Sequence, residues 1–493
     1  MRKISALAAL LALSSPAWAD PGDDAAAHLA RIAELDDAGP ELNAVIVTNP
    51  NAPAEARAAE GLPLAGRVVL VKDNVETREW PTTAGSLALR NNMTGRDAPL
   101  IARLRAAGGV VLGKTNLSEW ANIRSTRSTS GWSAIGGQTR NPHATDRNTC
   151  GSSSGSGAAV AAGLAWAAIG TETDGSITCP ASVNGIVGLK PTVGLVSRTH
   201  IVPISHSQDT AGPMALTVAD AALLLGAIAG SDPADPATAE ADLHKTDYVV
   251  GLADASLSGV RIGVMRKAVG GNPDVAALFE TALADLRRAG AELVEIDYEP
   301  DPKTGADEFL VLQFELREDL AAYLASSPAD LPVRTLDEVI AFNRAHAAEE
   351  MRWFGQEIFE MAAQATDRAA YEQARANSLR LAGAEGIDRL LAEHSVGFLV
   401  APTVGPAWTT DLVNGDNYDG SIGTGSMAAI SGYPHLSVPM GAVHDLPVGL
   451  SIIGAKWRDH AVLQAGAAYE RARTAPLAEA GLTRWSDTNG YTN

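Results

Sequence analysis

From Cys150 to Gly170 the chain reads CGSSSGSGAAVAAGLAWAAIG and carries no charged residue. The part after Gly157 is small and apolar throughout, so it reads as a wholly buried helix and then a strand. A flexible Gly/Ser linker would not lead straight into a core element. Ser152 to Ser154 therefore read as a loop capping the N-terminus of a buried helix.

Around this stretch strand and helix signals alternate. GRVVLVKDNV (66–75) is a β-branched run broken by Lys72 and Asp73, DAPLIARLRAAGG (97–109) has helical spacing with a glycine stop, and VVLGKTN (110–116) is strand-like again. A second strand–helix–strand unit occupies 260–266, 274–290 and 292–298. Such alternation predicts an α/β fold with a mostly parallel sheet. From about 305 to 394 the chain turns helical, with Phe314, Trp353 and Phe354 expected in the core, and strand signals return at 397–403 and 435–441. Strand units flank the helical insert and no internal repeat is visible, so the chain reads as one domain.

Its N-terminus reads differently. Arg2 and Lys3 precede an apolar run from Ile4 to Leu13, and Ala17-Trp18-Ala19 forms a small-x-small site before Asp20. This is the pattern of a signal peptide over 1–19, cut after Ala19; a membrane anchor needs nearly twice that apolar length. The mature chain, 20–493, is expected to be periplasmic or secreted, with no membrane span. With 38 Lys plus Arg against 58 Asp plus Glu, the charge of -20 argues against a nucleic-acid partner. The two cysteines, Cys150 and Cys179, form no zinc spacing, and the ten histidines include no H-E-x-x-H, so neither a metal nor another cofactor is expected. In an oxidising compartment the cysteines are open to a disulfide, or to life as two small buried thiols.

Which serine does chemistry? Gly151 to Gly155 matches the G-x-S-x-G nucleophile elbow, but that motif needs a preceding strand and TRNPHATDRNT is loop material. The stretch IGTETDGSITCPASVNGIVGLKPT (169–192) fits better: an apolar strand runs into a polar turn that delivers Ser176. Backbone N–H groups from Thr173, Asp174, Gly175 and Ser176 in such a turn can converge on one oxygen, as an acyl-transfer oxyanion requires.

GLPLAGRVVLVKDNV, CGSSSGSGAAVAAG and GTETDGSITCPASVNGIVGLKPTVGLVSR, in this order and spacing, resemble the amidase signature family, over most of the chain from 61 to 455. The resemblance implies a single-domain α/β fold, a large twisted mixed sheet covered by helices on both faces. Its signature core spans about 60–220, and the helical region 305–394 lies on the substrate side. It also implies a Lys–cis-Ser–Ser machine: Lys72 as base, Ser152 as relay with a cis peptide, and Ser176 as nucleophile. Asp174 departs from the Gly that many members carry there, but keeps its backbone N–H. SEWANIRST, GWSAIGGQTRNPH and ISHSQDTAGPM are similar to the bacterial peptide amidases, which implies C-terminal peptide amides as substrates and ammonia as product. A broad aliphatic or aryl amidase is the alternative within the family; an exported solute-binding protein is the alternative outside it.

A serine hydroxyl needs a base, and a lysine at its reference pKa of about 10.4 is a poor one near neutrality. Lowering it by about three units takes roughly 4 kcal/mol, which burial or positive neighbours must supply. Asp73 would oppose this unless it points to the other face, as alternate strand residues do. Asn116, Ser118 and Glu119 fit a strand-end turn as well as a site. Thr126, Ser128 and Ser130, or Glu172 and Asp174, are further candidates for substrate contact, whereas His435 reads as structural.

Overall fold

The structure, a computed structural model, describes residues 20–485; the expected export segment 1–19 lies outside the described residues. Among the described residues thirteen strands are formed: Val45–Thr48 (β1), Val68–Lys72 (β2), Val110–Thr115 (β3), Trp132–Ser133 (β4), Gly137–Gln138 (β5), Ala167–Glu172 (β6), Val187–Lys190 (β7), Thr210–Ala215 (β8), Arg261–Met265 (β9), Glu292–Ile296 (β10), Phe398–Pro402 (β11), His435–Val443 (β12) and Leu446–Ile453 (β13). All but the small β4–β5 pair join one eleven-stranded sheet in the order β1-β3-β2-β6-β8-β7-β12-β13-β11-β9-β10.

The sheet is mixed, as the family resemblance implied, and not mostly parallel, as the alternation alone suggested. Parallel pairing is confined to two blocks, β3-β2-β6 and β11-β9-β10. Both contain strand–helix–strand crossovers, through Pro99–Ala106 and Pro273–Arg288. Between the blocks, β8, β7, β12 and β13 pair antiparallel. β12 and β13 are joined by the tight turn His444-Asp445, both residues at positive φ, and a hairpin can only be antiparallel. Hydrophobic periodicity locates a strand but does not give its direction.

Helices cover both faces, and alternate residues of β2 feed two separate cores. Val69 and Val71 pack with residues of the helices Pro99–Ala106, Val218–Ile228 and Pro273–Arg288. Val68 and Leu70 pack with residues of the helices Pro21–Leu35 and Ser154–Ala161. A third core sits in the helical insert, where Leu316, Leu320 and Phe359 are buried together. Phe314 stacks on Tyr371, and Phe354 is buried edge-on to Trp132, as expected of core aromatics. Trp353 is only half-buried, with Arg352 over its ring.

β3 contains an irregularity that matters for the site. Val69 pairs with Val111 but Leu70 pairs with Gly113, so one residue of β3 is bulged out. A one-residue slip turns every later side chain to the other face. Lys114 thereby joins the Val71 side of the sheet, and Thr115 joins the side of the buried helix.

Candidate active site

The serine run forms a loop followed by the helix Ser154–Ala161, which leads through a short turn into β6. Helix and strand thus form along the uncharged stretch as read, and the residues leading into Cys150, 139–149, form no strand, which removes the elbow. Glycine is required here by close approach: a Cβ on Gly155 would lie 2.5 Å from the Asn116 carbonyl, and one on Gly151 2.1 Å from Ser118 Oγ. Asn116 and Ser118 therefore shape the loop. The Ser118 N–H donates to the Ser152 carbonyl at 3.1 Å, and the Asn116 carbonyl accepts the Gly155 N–H at 3.0 Å.

The Gly151–Ser152 peptide is cis. Ser153 takes the N-cap position, yet its hydroxyl does not cap: it donates to the Thr171 carbonyl at 3.1 Å and accepts the Thr171 N–H at 3.2 Å. Ser154 Oγ donates to the Cys150 carbonyl at 2.6 Å. Cys150 and Cys179 form a disulfide with Cα atoms 6.0 Å apart, tying the serine loop to the segment after Ser176.

Lys72, the last residue of β2, is fully buried on the face of the buried helix. Its Nζ donates to Ser152 Oγ at 2.8 Å, to Thr171 Oγ1 at 2.8 Å and to the Thr171 carbonyl at 3.1 Å. Thr171 Oγ1 is held in turn by Asn74 Nδ2 at 2.9 Å. Burial pulls the Lys72 amine down to about 7, against the opposing fields of Asp209 and Glu172. Asp73 points to the other face, where it pairs with Lys114 at 3.1 Å and accepts from Thr83.

Ser176 lies in the turn after β6, and its carbonyl accepts the Ser153 N–H at 3.1 Å, which joins the two serine segments directly. Glu172 clasps this turn from behind, its Oε2 accepting the Ile177 and Thr178 N–H groups at 2.7 and 2.9 Å. Glu172 is thus a structural acid. Thr173 is tied to Asp209 at 2.6 Å. The backbone N–H groups of Thr173, Asp174, Gly175 and Ser176 and the Ser176 hydroxyl donate to nothing among the described residues. Backbone donors left free beside a free hydroxyl are groups that an acyl-transfer site uses toward a carbonyl oxygen.

A cavity of about 610 Å³ opens onto this turn, lined by Asp174, Gly175 and Gly151. Of the helical region 305–394, only Gly305 and Glu308 line it; the segment around 403–430 supplies much of the remaining wall. Most of the apolar surface of that region is spent on its own core. Ser130 lines the cavity, whereas Thr126 is engaged by Glu357 and Ser128 by the Ser125 carbonyl. Glu119 is buried against Arg124 at 2.6 Å, away from any substrate role. His206, Glu315 and Asp319 come within 4.8 Å of one another as a metal set would, but Glu315 already accepts from Ser205, Ser207 and Tyr371 and the His206 ring pairs with Asp319. Sequence reasoning gave no role to Thr171 and Asn74, although both lie within the quoted motifs, or to Glu308, which lies in none.

A profile of the amidase family matches residues 26–463. A probable amidase of Arabidopsis thaliana is 38% identical over 453 residues, covering 88% of this chain and 83% of that protein. A glutamyl-tRNA(Gln) amidotransferase component from Thermus thermophilus is 36% identical, with coverage of 93% and 96%. Among solved structures, the native peptide amidase of Stenotrophomonas maltophilia superposes with a TM-score of 0.87 at 47% identity, covering 94% of this chain and 95% of that one. With the serine loop, the buried lysine and the Ser176 turn assembled as they are, the chain belongs to the amidase family, hydrolases of the amide C–N bond.

Proposed function

We propose that the enzyme hydrolyses C-terminal amides of peptides to the free acid and ammonia, through an acyl-enzyme on Ser176. Ser152 is the proton relay and Lys72 the general base. The reading is carried by one observation: the Lys72 amine is buried 2.8 Å from Ser152 with no carboxylate in contact, which brings it to about 7. A base is most effective when its pKa lies near the working pH. Neutral Lys72 takes the Ser152 proton as Ser152 takes that of Ser176, and Ser176 attacks the carbonyl carbon. The N–H groups of Thr173 to Ser176 hold the oxyanion, and the proton returns through Ser152 to the departing nitrogen. Water repeats the path to release the acid.

The peptide-amide substrate rests on the likeness to a peptide amidase at 47% identity. We also place the mature enzyme in the periplasm or outside the cell, on the pattern of residues 1–19 and the Cys150–Cys179 disulfide, a bond at home in an oxidising compartment. A matched series of acetamide, N-acyl amino-acid amides, amidated dipeptides and the corresponding anilides tests the substrate. Ammonia release should rise along the peptide amides and fall as the leaving amine grows. Equal turnover of acetamide and anilides would return the enzyme to the broad amidases.

A further inference from the structure

The turn that carries Ser176 is under a constraint of its own. Its backbone N–H groups from Thr173 to Ser176 have no partner among the described residues, so those groups cannot hold it in place. The β6–β8 ladder ends at the pair Glu172–Thr210, so the sheet does not hold it either. What fixes the turn reaches its carbonyls and side chains. The Ser176 carbonyl accepts the Ser153 N–H, and the Gly175 carbonyl accepts the Cys179 N–H at 2.9 Å. Thr173 is held from further away: its carbonyl accepts Gln208 Nε2 at 3.3 Å and its hydroxyl donates to Asp209 Oδ1 at 2.6 Å.

Gln208 and Asp209 close the segment 204–209, which leads into β8. Asp209 ties the segment to itself, its Oδ2 accepting the Ile204 and Ser205 N–H groups at 2.8 and 2.9 Å. Further anchorage comes from the helix Lys303–Ser326 of the insert. Glu308 accepts Gln208 Nε2 at 2.8 Å. Glu315 accepts the hydroxyls of Ser205 and Ser207 and, at 3.0 Å, the Ser207 N–H. Asp319 accepts the His206 N–H at 2.7 Å and pairs with its ring at 2.9 Å. Steps of seven and four residues place these three acids on one face of the helix.

Glu315 is the grip that matters most. It is fully buried, and its ion-pair partner among the described residues is the exposed His206 ring, at 3.3 Å. A buried carboxylate is costly unless hydrogen bonds satisfy it. Those that Glu315 accepts come from Ser205 and Ser207, and from the Tyr371 hydroxyl at 2.7 Å. A buried acid is thus committed to a segment whose other end holds Thr173.

We propose that Glu315 is a positioning residue of the reaction: from the helical insert, through residues 204–209, it sets Thr173 and with it the aim of the free N–H groups of the oxyanion turn. The inference rests on the acyl-enzyme on Ser176 proposed above, not on the identity of the amide. Hydrogen bonds to the oxyanion strengthen as charge develops, so a displaced turn costs kcat more than it costs ground-state binding.

The experiment compares wild type with Glu315→Gln, which keeps the size but sets an amide N–H against the donors. A second variant, Ser205→Ala with Ser207→Ala, keeps Glu315 and removes two of its donors. Folding is checked by near-ultraviolet circular dichroism. Turnover is followed on whichever of N-acetylphenylalanine amide and acetanilide the wild type hydrolyses. Two inhibitors are titrated: the trifluoromethyl ketone analogue of N-acetylphenylalanine, whose carbonyl becomes an oxyanion when the serine adds, and N-acetylphenylalanine itself, which forms none. The expected result is kcat lowered roughly tenfold or more with KM within about twofold, the ketone Ki raised by a similar factor and the acid Ki unchanged. An unchanged kcat in folded Glu315→Gln overturns the proposal, and so does a ketone Ki that stays at its wild-type value or that rises only as far as the acid Ki does. Where Glu315→Gln does not fold, the serine double variant decides by the same readings. A rising limb of kcat/KM that moves with pH while the ketone Ki holds also overturns it, because the segment would then act on Lys72 through the field of Asp209. Fluorophosphonate labelling of the wild type away from Ser176 removes the acyl-enzyme reading and this proposal together; labelling at Ser176 with unchanged variants removes the proposal alone.

Discussion

Two buried lysines stand on neighbouring parallel strands, Lys72 at the end of β2 and Lys114 near the end of β3, and they have opposite fates. Both are fully desolvated, and burial lowers the pKa of both. Lys114 has a carboxylate 3.1 Å away, Asp73, and donates as well to the Val75 carbonyl at 2.7 Å, so it is held as one half of an ion pair. Lys72 has hydroxyls and a carbonyl around it and only distant acids. The bulge in β3 separates the two: it puts Lys114 on the face to which Asp73 points and leaves Lys72 alone with Ser152 and Thr171. The same residue type thus stands as a paired cation or, in the proposed mechanism, as the base, according to one inserted residue in an adjacent strand.

The comparison breaks most visibly in rate. Lys72→Met should lower kcat/KM by ~10³-fold or more, the scale of a lost general base, while Lys114→Met leaves the rate per folded molecule near wild type. Stability should move the other way. Lys114→Met strands Asp73 as an uncompensated buried charge and should cost ~3–5 kcal/mol in denaturant unfolding. Lys72→Met should stabilise at neutral pH, by at most ~4 kcal/mol, because the native state no longer holds an amine displaced from about 10.5 to about 7. The sign follows from proton binding. Between those two values the unfolded chain holds the Lys72 proton and the native chain does not, so wild-type stability rises with pH there, and the variant should lack that slope. Opening the disulfide by Cys150→Ser with Cys179→Ser should cost ~3–4 kcal/mol for a loop of 29 residues. Thiol titration of the unfolded, unreduced wild-type protein should find no free thiol. The smallest effect is at Asp209, whose field raises the Lys72 pKa: Asp209→Asn should move the alkaline-rising limb of kcat/KM to lower pH.

What was legible in the sequence divides along similar lines. The uncharged stretch announced a buried helix and strand because a missing charge is a local property. Lys72, Ser152 and Ser176 were named from motifs, and the first two do meet. The opposite orientation of Asp73 followed from strand alternation, but its partner Lys114 did not, because a bulge leaves no mark in the pattern of VVLGKT. The mixed sheet was legible only through resemblance, since strand direction has no periodicity. Thr171, Asn74 and Glu308 were silent: each acts through a partner far away in the chain, and a lone hydroxyl or carboxyl carries no spacing. Ser153 looked like a cap and instead cross-links β6, because the strand edge reaches its hydroxyl before the helix N–H groups do.

The central claim is that Lys72 is a neutral base at working pH, and the pH dependence of kcat/KM on a neutral primary amide, for wild type and Asp209→Asn, tests it most directly. The account predicts activity that rises with pH through a free-enzyme pKa of about 7 to a plateau, with the limb at lower pH in Asp209→Asn. A limb near 10, as for a solvated lysine, or activity that falls as pH rises through 7, would contradict it.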